Sequence, residues 1–173
     1  VHGIPGRRIL KEGDILSLDC GCIYNGFVGD AALTLGVGRI LAEAERLIRV
    51  TEEALYRAIE ASRVGNRLGD VSAAIQEHAE RHGYNVVREY TGHGVGRDMH
   101  EDPQIPNWGK CGTGIPLRVR MTYALEPMLI AGRAEVYVKG DSWTVATKDR
   151  SLCAHFEHTI AVTDGQAEVL TLL

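Results

Sequence analysis

Residues 15–37 read ILSLDCGCIYNGFVGDAALTLGV, two alternating β-prone runs joined by Asn25-Gly26. Asn-Gly between such runs favours a two-residue type I′ turn, because both central residues of that turn need a positive φ. The turn fixes the register of a β-hairpin in which Gly21 pairs with Asp30. Because successive side chains alternate between the faces of a strand, Asp19 and Asp30 then lie on one face, about 7–8 Å apart at Cα.

The two aspartates of this hairpin need a partner of opposite charge. Two like charges on a half-buried sheet repel, so either a cation lies between them or one carboxyl group stays protonated. Gly21 opposite Asp30 leaves open space where another residue would place a side chain. A solvated pair of acids is the plain alternative, and for one pair alone it is the more frequent case. The metal interpretation therefore depends on further ligands.

Composition and charge narrow the class of protein. The chain has 173 residues, of which 45% are hydrophobic and 24% are charged, and a domain of this length buries about two thirds of its unfolded surface. We expect one domain over residues 1–173. A net charge of −4 argues against a nucleic-acid partner, and no apolar run approaches the roughly 18 residues of a membrane span. The four cysteines form no disulfide-like framework, so we expect reduced thiols in a cytoplasmic protein.

Two helices are predicted after the hairpin. Apolar residues at three- and four-residue steps predict an amphipathic helix over residues 39–61. A second helix is predicted to begin at Asp70, as its N-cap, and to end at Gly83, whose lack of a Cβ suits the position after a helix. His78 and His82 lie on the mixed face of this helix, and we interpret them as structural.

The remaining segments are predicted as strands and loops. They are a strand over 84–90, a Gly-rich loop over 91–102, an irregular loop over 103–116, a strand over 121–130 that carries Glu126, its partner strand over 134–138, and a strand over 154–162. In the last strand, alternation turns Phe156 and Ile160 inward, whereas Glu157 shares the opposite face with His155 and Thr159.

The Gly-rich loop contains Gly92-His93-Gly94-Val95-Gly96. It lacks the strand-turn-helix context and the Lys-Ser/Thr pair of a phosphate-binding loop. Its glycines instead let the backbone pass close to a site into which His93 projects.

Six acids and histidines lie on predicted strands or Gly-rich segments, where structural residues are normally apolar: Asp19, Asp30, His93, His100, Glu126 and Glu157. Each of them alone has a plain explanation, such as a surface glutamate or a hydrogen-bonded loop histidine. Together, four carboxylates and one histidine suit divalent Mn, Fe, Co or Zn, and a charge of about −4 would balance two dications.

The chain resembles type I methionine aminopeptidases, metallopeptidases of the pita-bread fold. The resemblance runs from His2 to the C-terminus. It rests on His2-Gly3-Ile4-Pro5, the spacing of Asp19 and Asp30, Gly92–Gly96 with His100-Glu101, Glu126-Pro127-Met128, Trp143-Thr144 with Thr147-Lys148-Asp149, and Phe156-Glu157-His158-Thr159. It implies an α+β fold, a curved antiparallel sheet with helices on its outer face. It also implies that an N-terminal portion found in the family is missing here, which leaves open whether the chain is active alone.

The resemblance also implies a role for each site residue. Two divalent ions, Co, Mn, Fe or Zn, would be bound by Asp19, Asp30, His93, Glu126 and Glu157. The ions would lower the pKa of a shared water and generate hydroxide that attacks a peptide carbonyl. Glu126 would act as general base and proton shuttle, and His100 would donate a hydrogen bond to the oxyanion.

Substrate contacts are implied in the same way. His2 would contact the substrate backbone beside the scissile bond, together with His100. Trp143 would wall the methionine pocket, and Met99 stands where the family often has an aromatic residue. The substrate would be the N-terminus of a peptide or nascent chain, with methionine followed by a small residue. We expect a cytoplasmic monomer with no nucleic-acid or membrane partner, and ribosome association is left open.

Two related functions are the alternatives. Prolidase and aminopeptidase P share the paired aspartates and the first histidine. They usually carry an Arg-x-Glu-Asp type sequence around the last glutamate, where this chain has Phe156-Glu157-His158-Thr159. A non-catalytic binding protein of the same fold typically loses metal ligands, and all five are present here. An incidental acid cluster in an unrelated α+β domain would require every spacing match to be coincidence.

Overall fold

A computed structural model describes residues 1–172 as a layer of antiparallel strands with a pair of helices packed on it. The helices are α1 (Ala42–Ala61) and α2 (Leu68–Arg81). The strands are β1 (Ile15–Tyr24), β2 (Phe27–Gly36), β3 (Asn85–Val86), β4 (Thr91–Gly94), β5 (Glu101–Pro106), β6 (Thr122–Leu125), β7 (Met128–Ile130), β8 (Val136–Val138), β9 (Val145–Thr147), β10 (Cys153–His155), β11 (Glu157–Ala161) and β12 (Glu168–Val169).

The main sheet has the strand order β1-β2-β11-β6-β4-β5, and β12 pairs with β11. A three-stranded sheet has the order β10-β7-β3, and β8 and β9 form a separate pair. Every pairing is antiparallel. The α+β prediction is confirmed. Within residues 1–172, neither helix combines the length and the apolar composition required to cross a membrane.

The β1–β2 hairpin has the predicted turn and register. Asn25 and Gly26 take φ values of 50° and 78°, as a type I′ turn requires. Gly21 pairs with Asp30 and Asp19 pairs with Ala32. Asp19 and Asp30 therefore lie on the same face of the sheet, as the sequence predicts.

The two helices are confirmed with corrected beginnings. α1 begins three residues later than predicted, because Ile40 packs against Gly36 at the end of β2 instead of continuing the helix. Asp70 is not the N-cap of α2. It is the third residue of the helix, where its carboxylate accepts a hydrogen bond of 2.7 Å from the backbone N–H of Arg67. Gly83 follows the helix with φ +81°, as predicted.

Two predicted strands are each split into two shorter ones. The segment 121–130 divides at Glu126-Pro127 into β6 and β7, because proline has no N–H to continue the ladder. The segment 154–162 divides at Phe156 into β10 and β11. The Phe156 backbone N–H donates to Pro127 O at 3.3 Å, so the two breaks lie side by side. At both breaks the chain passes between the main sheet and the three-stranded sheet, which places Glu126 and Glu157 at the junction.

Other strand predictions need larger corrections. The predicted strand over 84–90 is reduced to β3, and the segment 103–116 is not wholly irregular because it begins within β5. The segment 134–138 pairs with β9 and not with the strand before Glu126. The beginning of the Gly-rich segment is a strand, β4, because its glycines allow close contact, whereas residues 95–100 form the predicted loop. A Cβ at Gly92 would collide with Ala124 O, and one at Gly94 with Asp102 O.

The core lies between the helices and the sheet. Leu47 and Val50 of α1 and Ile75 of α2 are fully buried against Tyr123 and Ile160 of the sheet. Burying one such aliphatic side chain stabilises a protein by about 1.5–3 kcal/mol. The helices therefore cover one face of β6 and β11, which leaves the opposite face free to carry polar side chains.

We predict that Gly92→Ala destabilises the protein and disturbs the site although Gly92 carries no functional group. The new Cβ would meet backbone atoms of β5 and β6, which cannot move independently of their strands. We expect a loss of about 1–3 kcal/mol in the free energy of unfolding, typical of overpacking, and weaker retention of divalent metal. Thermal unfolding and metal analysis measure both.

Gly29→Ala is the matched control, because a Cβ at Gly29 would meet only Thr171 Cγ2 at an ordinary 3.9 Å. Equal stability and metal content in the two variants would contradict the close-contact explanation.

Candidate metal centre

Four neighbouring strands bring the predicted ligands together. Asp30 lies on β2, Glu157 on β11 and His93 on β4, and Glu126 directly follows β6. Glu157 pairs with Ala32, two residues from Asp30, so both side chains lie on the same face. His93 pairs with Ala124, two residues before Glu126, with the same consequence.

The donor atoms of these residues are within reach of one ion. His93 Nε2 lies 3.6 Å from Glu126 Oε1 and 3.9 Å from Asp30 Oδ2. One donor atom each from Asp30, His93 and Glu157 lies within 4.8 Å of the other two. His93 Nδ1 is 3.0 Å from Gly94 O. A carbonyl oxygen only accepts hydrogen bonds, so Nδ1 carries a proton and Nε2 is the nitrogen that can bind a metal.

The electrostatics of the site favour a bound cation. Burial, reinforced by the charges of Asp19 and Asp30, raises the pKa of Glu126 to about 8. Burial, reinforced by Glu126 and the aspartates, raises the pKa of Glu157 to about 10. Within residues 1–172, Glu157 Oε1 is buried without a hydrogen-bond partner. Divalent metal sites in proteins are typically built from buried carboxylates that the protein's own cations and hydrogen-bond donors do not neutralise. This donor set therefore fits the ions that the sequence predicts.

Asp19 is placed less tightly than the other predicted ligands. It lies on the exposed edge strand β1 and is not one of the three donors that meet within 4.8 Å. It nevertheless faces the site. Partial burial and the charge of Asp30 raise the pKa of the Asp19 carboxyl group. The five-residue ligand set therefore stays a prediction. Four of its members are buried, and Asp19 lies at the exposed edge.

A cavity of about 530 Å³ opens beside the centre and is lined by His2, His93, His100 and Glu126, together with Tyr90 and Gln104. The His100 ring lies 4.4 Å from the His93 ring, centroid to centroid. The His2 ring stacks on Trp143 at 5.0 Å and meets the edge of Tyr90 at 5.4 Å. The structure thus brings the predicted catalytic residues His2, His100 and Glu126 to one cavity, with Trp143 behind His2.

The expectation of open space beside Gly21 is wrong, because Met99 lies there. Its Cε would lie 2.6 Å from a Cβ placed on Gly21, and Asp30 Oδ1 would lie at 3.5 Å. The space left by Gly21 is therefore not open, because the Met99 methyl group fills it next to Asp30. Gly21 serves to admit this side chain.

Sequence reasoning missed His155 as part of the site. His155 is buried, its Nε2 lies 3.9 Å from Glu126 Oε2, and neither ring nitrogen has a hydrogen-bond partner in the described part of the chain. Burial lowers the pKa of His155 to about 3, so the ring is neutral. The alternation of residues 154–162 places His155 on the face of Glu157, and this was the signal that could have identified it.

Thr159 and Thr34 hold together the strands that carry the predicted ligands, and both threonine side chains lie on the same face of the sheet as those ligands. Thr159 Oγ1 donates to Asp30 O at 2.8 Å and accepts from the Asp30 N–H at 3.0 Å. Thr34 Oγ1 makes the equivalent pair of bonds with the backbone of His155. These side-chain bonds join β2 to β11 and β10 where the regular ladder ends.

Comparison with known proteins identifies the family. Residues 1–164 match metallopeptidase family M24. The methionine aminopeptidase of Clostridium acetobutylicum is 50% identical over 173 residues, which cover 99% of this chain and 69% of that protein. The crystal structure of methionine aminopeptidase from Thermotoga maritima is 54% identical with a TM-score of 0.94, over 96% of this chain and 67% of that one.

A second methionine aminopeptidase structure is as similar to this chain, whereas a dipeptidase structure is less similar. The crystal structure of methionine aminopeptidase from Rickettsia prowazekii is 46% identical with a TM-score of 0.97, over 99% of this chain and 69% of that one. A dipeptidase structure from Pyrococcus horikoshii is 29% identical with a TM-score of 0.76, over 97% of this chain and 42% of that one. The proline-directed alternative is therefore less supported. The chain has the pita-bread fold, belongs to metallopeptidase family M24, and within that family belongs to the methionine aminopeptidases.

Proposed function

We propose that this chain is a metallo-aminopeptidase that removes the N-terminal methionine of peptides and nascent proteins when the next residue is small. The observation that carries the proposal is the convergence of Asp30, Glu126 and Glu157 around His93 Nε2 in a buried site beside an open cavity. The relatives at 46–54% identity support methionine as the residue removed.

Asp19, Asp30, His93, Glu126 and Glu157 are the residues that would hold two divalent ions. The count of two is supported by four carboxylates whose combined charge of about −4 would balance two dications. When bound, Co, Mn, Fe or Zn supplies Lewis-acid polarisation of the scissile carbonyl and activation of a water.

Glu126 is the proposed proton carrier. Its Oε1 faces His93 and its Oε2 faces His155, so the carboxyl group is held between two rings at the wall of the cavity. The Asn107 side-chain amide donates to Glu126 O at 3.1 Å and fixes the backbone of this residue. A carboxyl group at this position, beside the centre and at the wall of the cavity, can accept and return a proton, as a general base requires.

His100 and His2 are proposed to contact the substrate. The exposed His100 ring stands next to His93 and can donate a hydrogen bond to the carbonyl oxygen as that oxygen gains charge. His2, stacked on Trp143, lies at the other side of the same cavity, where it can contact the substrate backbone. Trp143 and Met99 are the proposed apolar contacts of methionine. We also propose a cytoplasmic monomer that meets nascent chains near the ribosome.

Substrate preference is the first test of this function. We predict that the metal-loaded protein releases methionine from Met-Ala-Ser and leaves an Ala-Pro peptide intact. The relatives at 46–54% identity are methionine aminopeptidases, and the residues around Glu157 differ from the proline-directed sequence. Amino-acid release measured by chromatography decides the question, and cleavage of Ala-Pro in preference to Met-Ala-Ser would favour the dipeptidase alternative.

A pair of variants tests the division of roles within the site. We predict that Asp30→Ala loses both metal and turnover, because Asp30 is a buried donor of the centre. We predict that His100→Ala retains metal and loses turnover by about 10²–10³-fold, the usual cost of removing one oxyanion donor. Metal analysis and the Met-Ala-Ser assay measure the two properties separately. Equal metal loss in both variants would contradict the assignment of His100 outside the ligand set.

The raised pKa values of Glu126 and Glu157 predict how the stability of the metal-free protein depends on pH. Folded Glu126 and Glu157 hold protons that the unfolded chain releases above about pH 4.5, so the free energy of unfolding decreases as pH rises toward their folded pKa values, about 8 and about 10. Each such group contributes about 1.4 kcal/mol per pH unit. Buried neutral His155 destabilises the fold only below its unfolded pKa near 6.5, so pH 6.5–8 is the informative window.

We therefore expect the melting temperature of chelator-treated protein to fall from pH 6.5 to pH 8. Glu157→Gln should reduce the slope, because the amide does not titrate. Glu60→Gln, an exposed change on α1, should leave the slope unchanged, and bound Mn²⁺ should raise the melting temperature most at pH 8. A metal-free protein whose stability is constant or increases over this window would contradict the burial of uncompensated carboxylates.

A further inference from the structure

A second group of potential metal ligands lies in the helical layer, away from the centre described above. Glu53 projects from α1, and His78 and His82 project from α2. One donor atom from each of the three lies within 4.8 Å of the other two, the same spacing that Asp30, His93 and Glu157 show in the buried centre. None of the three residues lines the cavity beside His100.

The spacing of the two histidines explains why they meet. Residues i and i+4 of a helix lie on one face, one turn apart, and pairs of histidines with this spacing are a recurrent zinc-binding arrangement. The rings of His78 and His82 have centroids 4.5 Å apart. α1 packs against α2, and Glu53 reaches the pair from the facing helix, which supplies a third donor from a separate element.

The distances suit a tetrahedral ion. His78 Nε2 lies 3.2 Å from Glu53 Oε2. Zinc bonds of about 2.0–2.2 Å to nitrogen and oxygen put neighbouring tetrahedral donors about 3.3–3.6 Å apart. The two atoms are therefore already near the spacing of one edge of such a site, and an ion would replace the proton that Nε2 shares with the carboxylate. One ring nitrogen of His82 lies within 4.8 Å of the donor atoms of both partners.

Hydrogen bonds in the second coordination shell orient two of the donors. His82 Nδ1 donates to His78 O at 2.8 Å, which leaves Nε2 as the nitrogen that can bind an ion. Glu53 Oε1 accepts from Arg49 Nη1 at 2.7 Å, which holds the carboxylate and leaves Oε2 toward the histidines. Burial lowers the pKa of His78, which favours the neutral ring that a metal ion requires.

We propose that Glu53, His78 and His82 form a second divalent-metal site, of the His₂-carboxylate class that takes Zn²⁺, and that the ion links α1 to α2. The fourth position faces solvent, because Glu53 and His82 are only partly buried. The site is independent of the proposed peptidase function, since it shares no residue with that centre. An ion there holds together the two helices that cover the sheet, so zinc binding stabilises the fold.

Zinc content measured by equilibrium dialysis at a fixed free Zn²⁺ concentration tests this site. His78→Gln and His82→Gln should each bind one Zn²⁺ fewer per chain than the parent protein and should show a smaller zinc-induced rise in melting temperature. Glu80→Gln is the matched control on α2, because Glu80 bonds to Gln76 and lies outside the cluster. Melting temperatures in chelator show that the variants fold.

A second measurement on the unmodified protein locates the ion. Zn²⁺ should protect His82 from acylation by diethyl pyrocarbonate, as mass spectrometry of the digested protein would show. Zinc content equal to that of Glu80→Gln in both histidine variants, or a His82 acylation rate that Zn²⁺ does not change, would overturn the proposal. Loss of the active-centre metal alone would lower the zinc count but would leave the protection of His82 unchanged, so the two measurements together separate the sites.

Discussion

The structure depends on the burial of Asp30, Glu126 and Glu157 around His93, in the middle of an antiparallel sheet. Placing several carboxyl groups in a region of low dielectric costs free energy unless they are protonated or paired with cations. The pKa values of Glu126 and Glu157 are raised because burial disfavours their charged forms. The described part of the chain offers no hydrogen-bond partner to Glu157 Oε1, so a divalent ion is the compensation that the arrangement calls for.

The backbone features around the site follow from this burial. Gly92 and Gly94 let β4 approach its neighbours so closely that His93 reaches the carboxylates. Pro127 ends β6 directly after Glu126, and the break at Phe156 lies beside it. Both glutamates therefore stand where two sheets separate and a cavity can form. The helices pack on the opposite face of the sheet, so the apolar core is not interrupted by the polar centre.

Local sequence signals predicted the hairpin well and the strand breaks and β4 less well. The hairpin register follows from Asn25-Gly26 alone, because the turn geometry fixes every pair beyond it. The breaks at Pro127 and Phe156 were missed because apolar alternation continues through them, although proline itself marks the first. β4 was predicted as a loop because its glycines mimic loop composition. Their actual role depends on strands that are distant in sequence.

The contacts of side chains were harder to predict than their positions. Gly21 and Met99 are 78 residues apart in the chain, and the sequence does not show that one fills the space beside the other. His155 shares a face with Glu157 by alternation, yet its closeness to Glu126 depends on the strand break between them. The five-residue ligand set was predicted from the family resemblance, whereas spacing alone supported only the aspartate pair.

The two ligand groups of this chain satisfy metal-binding chemistry in different ways. In the buried centre the carboxylates outnumber the protein's own compensating groups, so folding and metal binding are coupled. In the helical cluster, Arg49 neutralises Glu53 and the histidines are held by their own hydrogen bonds, so the helices pack without an ion. An ion at the helices must displace the contact between His78 and Glu53, whereas an ion in the buried centre relieves existing repulsion. Zinc should therefore bind the buried centre more tightly than the helical cluster.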